Sequence, residues 1–266
     1  MHLTEKGPSA TVGATERFGG IIVSNAAPLS AETIKNFMYA STATVSMQMM
    51  KRGFRNAAIG GVRPLNPKAA RLVGPAYTLR YIPSREDLDK PPSPSDPPSA
   101  QRTAIEETPA GCVLVIGTEG NTRSGTLGDI LALRLKVRGV AGVLSDGAMR
   151  DSPVIGKFDF PVYCTAAAAP PSMANLHPVE VQTPVGICGV PVYPGDVIVA
   201  DEDGAIVVPR GIADEVARHS FEQERLEKFV AIRVGQGKPI AGTYPPNDET
   251  KKLYQAWIKA GEPAGG

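Results

Sequence analysis

The middle of the chain alternates short apolar runs with amphipathic segments. The run at residues 111–117 is apolar throughout, which predicts a strand buried on both faces. The segment 125–139 carries apolar residues at helical spacing and ends in glycine, so it predicts a helix. A strand at 140–147, a short helix at 151–158 and a strand at 160–166 follow. This alternation predicts an α/β unit with parallel strands and right-handed crossovers.

Helices are also predicted on both flanks of this unit. Ser30 can cap a first helix, and residues 41–53 predict a second one. A strand at 70–82 leads into a loop rich in proline at 83–99, which we expect to be extended and exposed. Beyond Pro178 the chain is rich in strand residues with Gly and Pro turns, and two long helical patterns at 211–235 and 248–259 follow.

The amino-acid composition disfavours two classes of binding partner. The chain has 266 residues, with 28 Lys+Arg against 27 Asp+Glu, so no broad positive field attracts nucleic acid or an anionic membrane. Hydrophobic residues make up 42%, as in folded globular proteins. Aromatic residues are only 6%, which disfavours a surface for stacking bases. We therefore expect a partner that is neither nucleic acid nor membrane.

The cysteines and the N-terminal residues indicate the cellular compartment in which we expect the protein. Cys112, Cys164 and Cys188 lie far apart in apolar stretches, which favours buried structural thiols in a reducing cytosol. The first twenty residues are polar and lack the apolar core of a secretory signal. No stretch reaches the roughly 20 apolar residues that span a bilayer. The sequence predicts a cytoplasmic protein.

The strongest local signal for chemistry lies at residues 145–151 (SDGAMRD), where a strand ends and a helix begins. Ligands of α/β sheets collect outside the carboxyl ends of strands. Arg150 offers a planar fork of donors that matches a carboxylate, and Asp151 offers a hard oxygen for a divalent cation. The pair suits a 2-oxo acid and a metal ion. An ion pair that caps a helix on the surface is the alternative interpretation.

A second signal, GTLGDIL at residues 125–131, follows the preceding strand. Glycines that open a helix leave backbone N–H groups free, and these groups favour an anion. The two loops would then face one cleft. An ordinary glycine-rich turn is the alternative, and the spacing matches neither a dinucleotide nor a phosphate-loop motif.

Two other sets of residues give weaker signals. Residues 201–204 predict a solvated hairpin turn, and the three histidines lack metal-ligand spacing.

The stretch 125–164 resembles the signature of the RraA-like family. That family includes 4-hydroxy-4-methyl-2-oxoglutarate aldolases, oxaloacetate decarboxylases and regulators of ribonuclease activity. STATVS at residue 41, GPAYTLRY at 74 and PGDVIVADEDGAIVVP at 194 extend the resemblance over about residues 30–235.

The resemblance implies an α/β fold: a central β/β/α swivelling domain, like the phosphohistidine domain, with added N- and C-terminal helices. The expected organisation is a flexible lead-in over residues 1–28, an RraA-like catalytic domain over 29–236, and a helical extension over 237–266.

The resemblance also implies roles for individual residues. Arg150 would bind the substrate carboxylate, and Asp151 would be the direct protein ligand to Mg²⁺ or Mn²⁺. Asp129 would take part in catalysis close to the metal. The carboxylate would also contact the start of the helix, at Gly128, Asp129, Ile130 and Leu131. An acidic residue from a neighbouring subunit would complete the site, with Glu224 and Glu227 as alternatives.

The implied activity is cleavage of a C–C bond in a short 2-oxo acid, by retro-aldol reaction, by oxaloacetate decarboxylation, or both. This would make the protein a class II, metal-dependent lyase that assembles as a homotrimer or homohexamer. Two alternatives stay open. One is a non-catalytic regulator that binds a protein partner, and the other is a sugar-acid dehydratase that uses the same metal site.

Overall fold

The computed structural model describes residues 28–89, 93 and 97–263, together with the backbone of residues 16–18 and 21–23. The flexible lead-in predicted for residues 1–28 lies almost entirely outside the described residues. Within it, two short backbone segments pair as antiparallel strands. No helix in the described part of the chain is long and apolar enough to cross a membrane.

Seven helices are described, and four of them begin with a side-chain cap. Ser30, Ser41, Ser99 and Asn247 each accept a hydrogen bond from a backbone N–H in the first turn of their helix. The helices are α1 (Ala31–Tyr39), α2 (Thr42–Lys51), α3 (Ala100–Glu107), α4 (Asp129–Val137), α5 (Ser152–Ile155), α6 (Ala213–Gly235) and α7 (Asp248–Lys259).

Fifteen short or medium strands are described. They are β1 (Glu16–Phe18), β2 (Ile21–Val23), β3 (Ala58–Ile59), β4 (Arg63–Pro64), β5 (Leu72–Pro83), β6 (Val113–Gly117), β7 (Gly142–Ser145), β8 (Ala148–Met149), β9 (Val162–Cys164), β10 (Ala166–Ala167), β11 (Leu176–Val181), β12 (Val185–Ile187), β13 (Val190–Val192), β14 (Val197–Asp201) and β15 (Gly204–Val208).

A mixed sheet of nine described strands forms the centre of the molecule. Its order is β3-β15-β14-β5-β6-β7-β9-β4, and β11 pairs with the second half of β5. Strands β6, β7 and β9 are parallel, as predicted, and β5 also runs parallel to β6, whereas the other pairs are antiparallel. Strands β6 and β7 are buried along their whole length because both faces of the sheet are covered. Their carboxyl ends meet at one edge, where the candidate site lies.

The two ends of the chain add helices to this sheet. Helices α1, α2 and α6 cover strands β14 and β15 with an apolar cluster that includes Phe37, Val45 and Val216. Helix α7 folds back on α6, where Phe229, Tyr254 and Trp257 pack together. The α/β fold class with terminal helices is therefore confirmed.

Several local predictions need correction. Helix α4 begins at Asp129 rather than Gly125, because Gly125–Gly128 runs beside β8 instead of coiling. Helix α3 follows the proline loop and was not predicted. Cys188 is exposed at the tip of the β12–β13 hairpin rather than buried.

The turn that follows β14 was also misjudged at its first residue. Asp201 is buried rather than solvated. Its carboxylate accepts hydrogen bonds from the Thr42 backbone N–H at 2.7 Å and the Thr42 hydroxyl at 2.6 Å, and it pairs with Arg71 at 3.2 Å. The acid therefore ties the hairpin to the start of α2, and the sequence gives no sign of this distant partner.

Candidate functional site

The two loops predicted to carry chemistry lie side by side at the carboxyl edge of the sheet. Two backbone hydrogen bonds join them: Thr126 N–H donates to Ala148 O at 2.8 Å, and Arg150 N–H donates to Leu127 O at 2.8 Å. Strands β6 and β7 are adjacent and parallel, so the loops that leave them emerge at the same edge. The predicted juxtaposition of the two loops is thus present.

Two glycines allow this close approach. A Cβ at Gly125 would lie 2.3 Å from Arg150 Cγ and 2.7 Å from the Arg150 backbone nitrogen. A Cβ at Gly128 would lie 2.8 Å from Asp151 Oδ2. Neither glycine has a left-handed backbone, so the missing side chain, rather than conformational freedom, is what the site needs. The side chains of Arg150 and Asp151 therefore lie directly over the glycine-led start of α4.

Arg150 is half-buried and carries an unsatisfied donor. Its Nε is buried and has no hydrogen-bond partner among the described residues. Nε of Arg52, Arg71 and Arg138 is also unpaired, but each of those guanidinium groups bonds elsewhere in the chain. Arg150 forms no side-chain hydrogen bond among the described residues, so its guanidinium is open to an external partner. A carboxylate matches the guanidinium fork in shape and charge. The predicted alternative, a surface ion pair between Arg150 and an acid of its own helix cap, is not among the ion pairs of the described residues.

The start of α4 presents backbone donors rather than a side-chain cap. Gly128 is the N-cap with an extended backbone, and no side chain caps the helix. The first intrahelical bond is from Ala132 N–H to Gly128 O, so the N–H groups of residues 129–131 precede the ladder. Ile130 N–H donates to Oδ1 of Asp129 at 2.8 Å. One of these donors is thus already bonded to a carboxylate oxygen, the kind of acceptor that a substrate carboxylate would also provide.

Asp151 adopts a strained backbone at the start of α5. Its φ of 52° and ψ of 30° place it in the left-handed region, which is uncommon for a residue with a side chain. The side chain is exposed and forms no cap hydrogen bond with α5. Residues in such conformations concentrate at functional sites. The carboxylate is available to a ligand.

These residues fit a divalent cation that is held largely by water and substrate. In the described part of the chain, no three His, Cys, Asp or Glu side chains come together in a way that could hold a metal ion. Mg²⁺ commonly binds through one or two carboxylates, keeps several waters and takes further oxygens from the substrate. The exposed carboxylate of Asp151 meets that requirement, with Asp129 on the adjacent helix start.

Two supporting residues were missed by sequence reasoning. Gln101 of α3 donates from Nε2 to Thr126 O at 2.6 Å, so the unpredicted helix braces the glycine-led loop. Asp146 is buried beneath the loop that follows β6, and burial raises the pKa of its carboxyl group. Gln101 left no sequence signal, whereas Asp146 stood inside the motif that was singled out.

The two candidate acids of α6 are both engaged within this chain. Glu224 accepts hydrogen bonds from the backbone N–H and the hydroxyl of Ser41, at 3.0 and 3.1 Å, at the start of α2. Glu227 accepts from Gln223 Nε2 at 2.8 Å and lines an open groove between α2, α6 and Tyr244. Whether either acid serves a neighbouring subunit stays a prediction.

Backbone amides, a guanidinium and a carboxylate thus meet at adjacent strand ends of an α/β sheet, a common place for small-molecule ligands. The family model described as RraA-like, Aldolase/RraA, matches residues 42–207. The chain therefore belongs to the RraA-like family, and the matched segment contains both loops of the site.

Two named relatives match parts of this chain. A 4-hydroxy-4-methyl-2-oxoglutarate aldolase of Thermus thermophilus is 38% identical over 109 residues, which are 41% of this chain and 65% of that protein. Protein DlpA of Legionella pneumophila is 27% identical over 186 residues, which are 68% of this chain and only 29% of that protein. The matches thus span less than two thirds of each relative.

A solved structure extends the similarity in three dimensions. It is that of Streptomyces coelicolor RraAS2, described as an unusual member of the RraA family of RNase ES inhibitors. That chain is 33% identical, with a TM-score of 0.69 over 78% of this chain and 99% of its own.

Proposed function

We propose that the protein is a divalent-metal-dependent lyase that cleaves a C–C bond of a short 2-oxo acid. The observation that carries this proposal is the position of Arg150 and Asp151 over the uncapped start of α4. One guanidinium, several backbone N–H groups and one exposed carboxylate suit a ligand that combines an anionic carboxylate with oxygens for a cation. The name of the Thermus relative supports an aldolase.

The residues of the chain divide the work of binding. The guanidinium of Arg150 and the N–H groups of residues 129–131 hold the substrate carboxylate, and Asp151 holds Mg²⁺ or Mn²⁺. For the substrate to reach Ile130 N–H, the Asp129 side chain rotates away from it. When bound, the cation supplies positive charge beside the 2-oxo oxygen, where negative charge develops as the C–C bond breaks.

The two candidate reactions differ in their need for a base. Retro-aldol cleavage removes the proton of the C4 hydroxyl, and we assign that proton to the carboxylate of Asp129. Decarboxylation of oxaloacetate has no such proton to remove. Asp129→Asn should therefore suppress retro-aldol cleavage by about 10²-fold or more, the usual contribution of a general base, and leave decarboxylation far less affected. An equal loss in both reactions would refute this role for Asp129.

We also propose a homotrimer or homohexamer. Helix α4 exposes Ile130, Leu133 and Val137 by 77%, 48% and 71%. Their spacing of three and four residues places them on one face of the helix. An apolar face that begins at the candidate site fits contact with a second copy of the chain. Sedimentation of the wild type and of Leu133→Asp tests this: a shift from trimer towards monomer is expected, and a monomeric wild type would refute it.

A regulator that binds a protein partner is the second candidate. It is favoured by the similarity to the Streptomyces RraA-family structure over most of both chains. Pyruvate release from oxaloacetate, measured with Mg²⁺ and again with EDTA, separates the two functions. EDTA-sensitive release supports the lyase. Absence of release from folded protein, with either oxaloacetate or 4-hydroxy-4-methyl-2-oxoglutarate as substrate, would support the regulator.

A further inference from the structure

Asp146 belongs to the loop of residues 145–151, but its carboxylate bonds to the chain that follows β6 rather than to Arg150 or the start of α4. It is 3% exposed. Its Oδ1 accepts hydrogen bonds from the Thr118 backbone N–H at 2.7 Å and from the Thr118 hydroxyl at 3.0 Å. Its Oδ2 accepts from the Gly120 backbone N–H at 2.9 Å. Both oxygens of the carboxylate therefore accept hydrogen bonds from the first residues of the loop between β6 and α4.

The platform under that loop is itself fixed. The Thr165 hydroxyl donates to Asp146 O at 2.9 Å, and Gly147 N–H donates to the Ser145 hydroxyl at 3.0 Å. A Cβ at Gly147 would lie 2.8 Å from both Cγ2 and Oγ1 of Thr118. Thr118 and Gly120 thus bond to the Asp146 carboxylate, and Thr118 approaches Gly147 so closely that a side chain there would not fit.

The beginning of the loop needs such a brace because its backbone is strained. Glu119 and Gly120 follow one another in the left-handed region, with φ of 56° and 72°. For Glu119, which has a side chain, this conformation is costly. The far end of the same loop is held by two backbone hydrogen bonds, from Thr126 N–H to Ala148 O in β8 and from Arg150 N–H, just after β8, to Leu127 O. Asp146 secures the near end.

We propose that Asp146 is a positioning residue that holds the loop of residues 118–128 against Arg150 and so sets the orientation of the substrate carboxylate. This inference rests on the proposed function for its catalytic consequence, but the bracing itself does not. Hydrogen bonds from backbone N–H groups to a buried carboxylate are stronger than those to a neutral acceptor. Loss of the charge should therefore loosen the loop without removing any group that touches the substrate.

The test compares Asp146→Asn with Asp196→Asn. Asp196 is a matched control because it is similarly buried, accepts a hydrogen bond from Tyr193 N–H at 2.9 Å, and lies by the amino end of β5, far along the sheet from the site. In Asp146→Asn the amide keeps one acceptor oxygen for Thr118 but turns an N–H group towards the Gly120 donor. Thr118→Ser retains both donors of Thr118 and should behave like the wild type.

Amide hydrogen exchange of peptides within residues 118–124 is the first readout. Exchange should accelerate by about tenfold or more in Asp146→Asn, the factor expected for loss of a hydrogen bond to a charged acceptor, and should be unchanged in Asp196→Asn. Unchanged exchange in Asp146→Asn would overturn the brace, whether or not the protein is an enzyme.

The second readout is the KM for oxaloacetate and the Kd for oxalate with Mg²⁺. Both should rise by about tenfold or more in Asp146→Asn and stay at the wild-type value in Asp196→Asn, even where the two variants lose similar thermal stability. Faster exchange with unchanged KM and Kd would overturn the positioning role. Suppose that exchange is faster in Asp146→Asn, but the wild type neither turns over oxaloacetate nor binds oxalate. That result would refute the proposed function and support the brace.

Discussion

The helices of this protein begin in two different ways. Helices α1, α2, α3 and α7 each start with a Ser or Asn side chain that caps a backbone N–H. Three helices start without a side-chain cap. They are α4 and α5, which carry the candidate site and start at Gly128 and Asp151, and α6, which continues from a 3-10 turn at Arg210–Ile212. A cap contributes about 1 kcal/mol to stability, so its omission at both helices of the site has a cost.

The difference concerns the backbone N–H groups in the first turn of each helix. A side-chain cap satisfies one of the four N–H groups that lack an intrahelical partner, and it places a side chain of the protein over the helix start. At the start of α4, the N-cap Gly128 has no side chain and the Asp129 carboxylate accepts from Ile130 N–H, so an external anion beside Arg150 would replace that carboxylate. An uncapped helix start indicates a ligand site here only together with Arg150 and the glycines beside it, because α6 is also uncapped and lies outside the site.

The largest expected effect follows from Asp151→Asn. The amide has no negative charge for a divalent cation, and Asn tolerates the left-handed backbone of this position, so the fold should be unaffected. We expect metal-dependent turnover to be abolished at an unchanged Tm. Asp151→Ala should also abolish turnover and additionally lose about 1 kcal/mol of stability, since Ala is strained there. Turnover that persists in either variant would refute the metal assignment.

Arg150→Ala should have the next largest effect. It removes the guanidinium that pairs with the substrate carboxylate, and kcat/KM should fall by the equivalent of about 2–5 kcal/mol, as for other desolvated charge pairs. Arg150→Lys keeps the charge but lacks the planar fork, so its loss should be intermediate. Steady-state kinetics with oxaloacetate measure both variants, and an unchanged kcat/KM in Arg150→Ala would contradict the role of this residue.

A smaller effect is expected when the opening at the start of α4 is filled. In Gly128→Ala the new Cβ meets Asp151 Oδ2, the end of a flexible side chain, so the carboxylate moves and the backbone stays. We expect an activity loss of about tenfold, by analogy with other small displacements of catalytic groups, and little change in Tm. Gly186→Ala is the control, because nothing lies within 4 Å of its Cβ. Equal activity in the two variants would show that the spacing at Gly128 is not critical.

The smallest effect concerns a cap far from the chemistry. Ser30→Ala removes the hydroxyl that accepts from Thr33 N–H at the start of α1. The free energy of unfolding should fall by about 1 kcal/mol while kcat/KM is unchanged. Chemical denaturation and kinetics of the same preparation check both values. A loss of activity in this variant would erase the distinction between structural and functional helix starts.

Much of this arrangement could be predicted from sequence because its signals are local. The apolar runs that became β6 and β7 and the cap at Ser30 depend on neighbouring residues only. Successive strands that are joined by helices are parallel and usually adjacent, which places their carboxyl ends at one edge of the sheet. That rule alone brought the glycine-led loop and Arg150 together.

What could not be predicted depends on partners distant in sequence. Periodicity extended α4 back to Gly125, but hydrogen bonds to β8 hold that segment extended. Gln101 reaches Thr126 from a helix that follows the proline loop, and Asp201 is buried by Thr42 and Arg71. No spacing within a short window reports such contacts, since each arises only when the sheet has assembled.

A crystal structure of the protein with Mn²⁺ and oxalate tests the central claim most directly. The account predicts an anomalous peak for Mn²⁺ within bonding distance of the Asp151 carboxylate. It predicts one carboxylate of oxalate between the Arg150 guanidinium and the N–H groups of residues 129–131, with the Asp129 side chain rotated away from Ile130. A cation bound away from Asp151, or an oxalate that contacts neither Arg150 nor the start of α4, would contradict it.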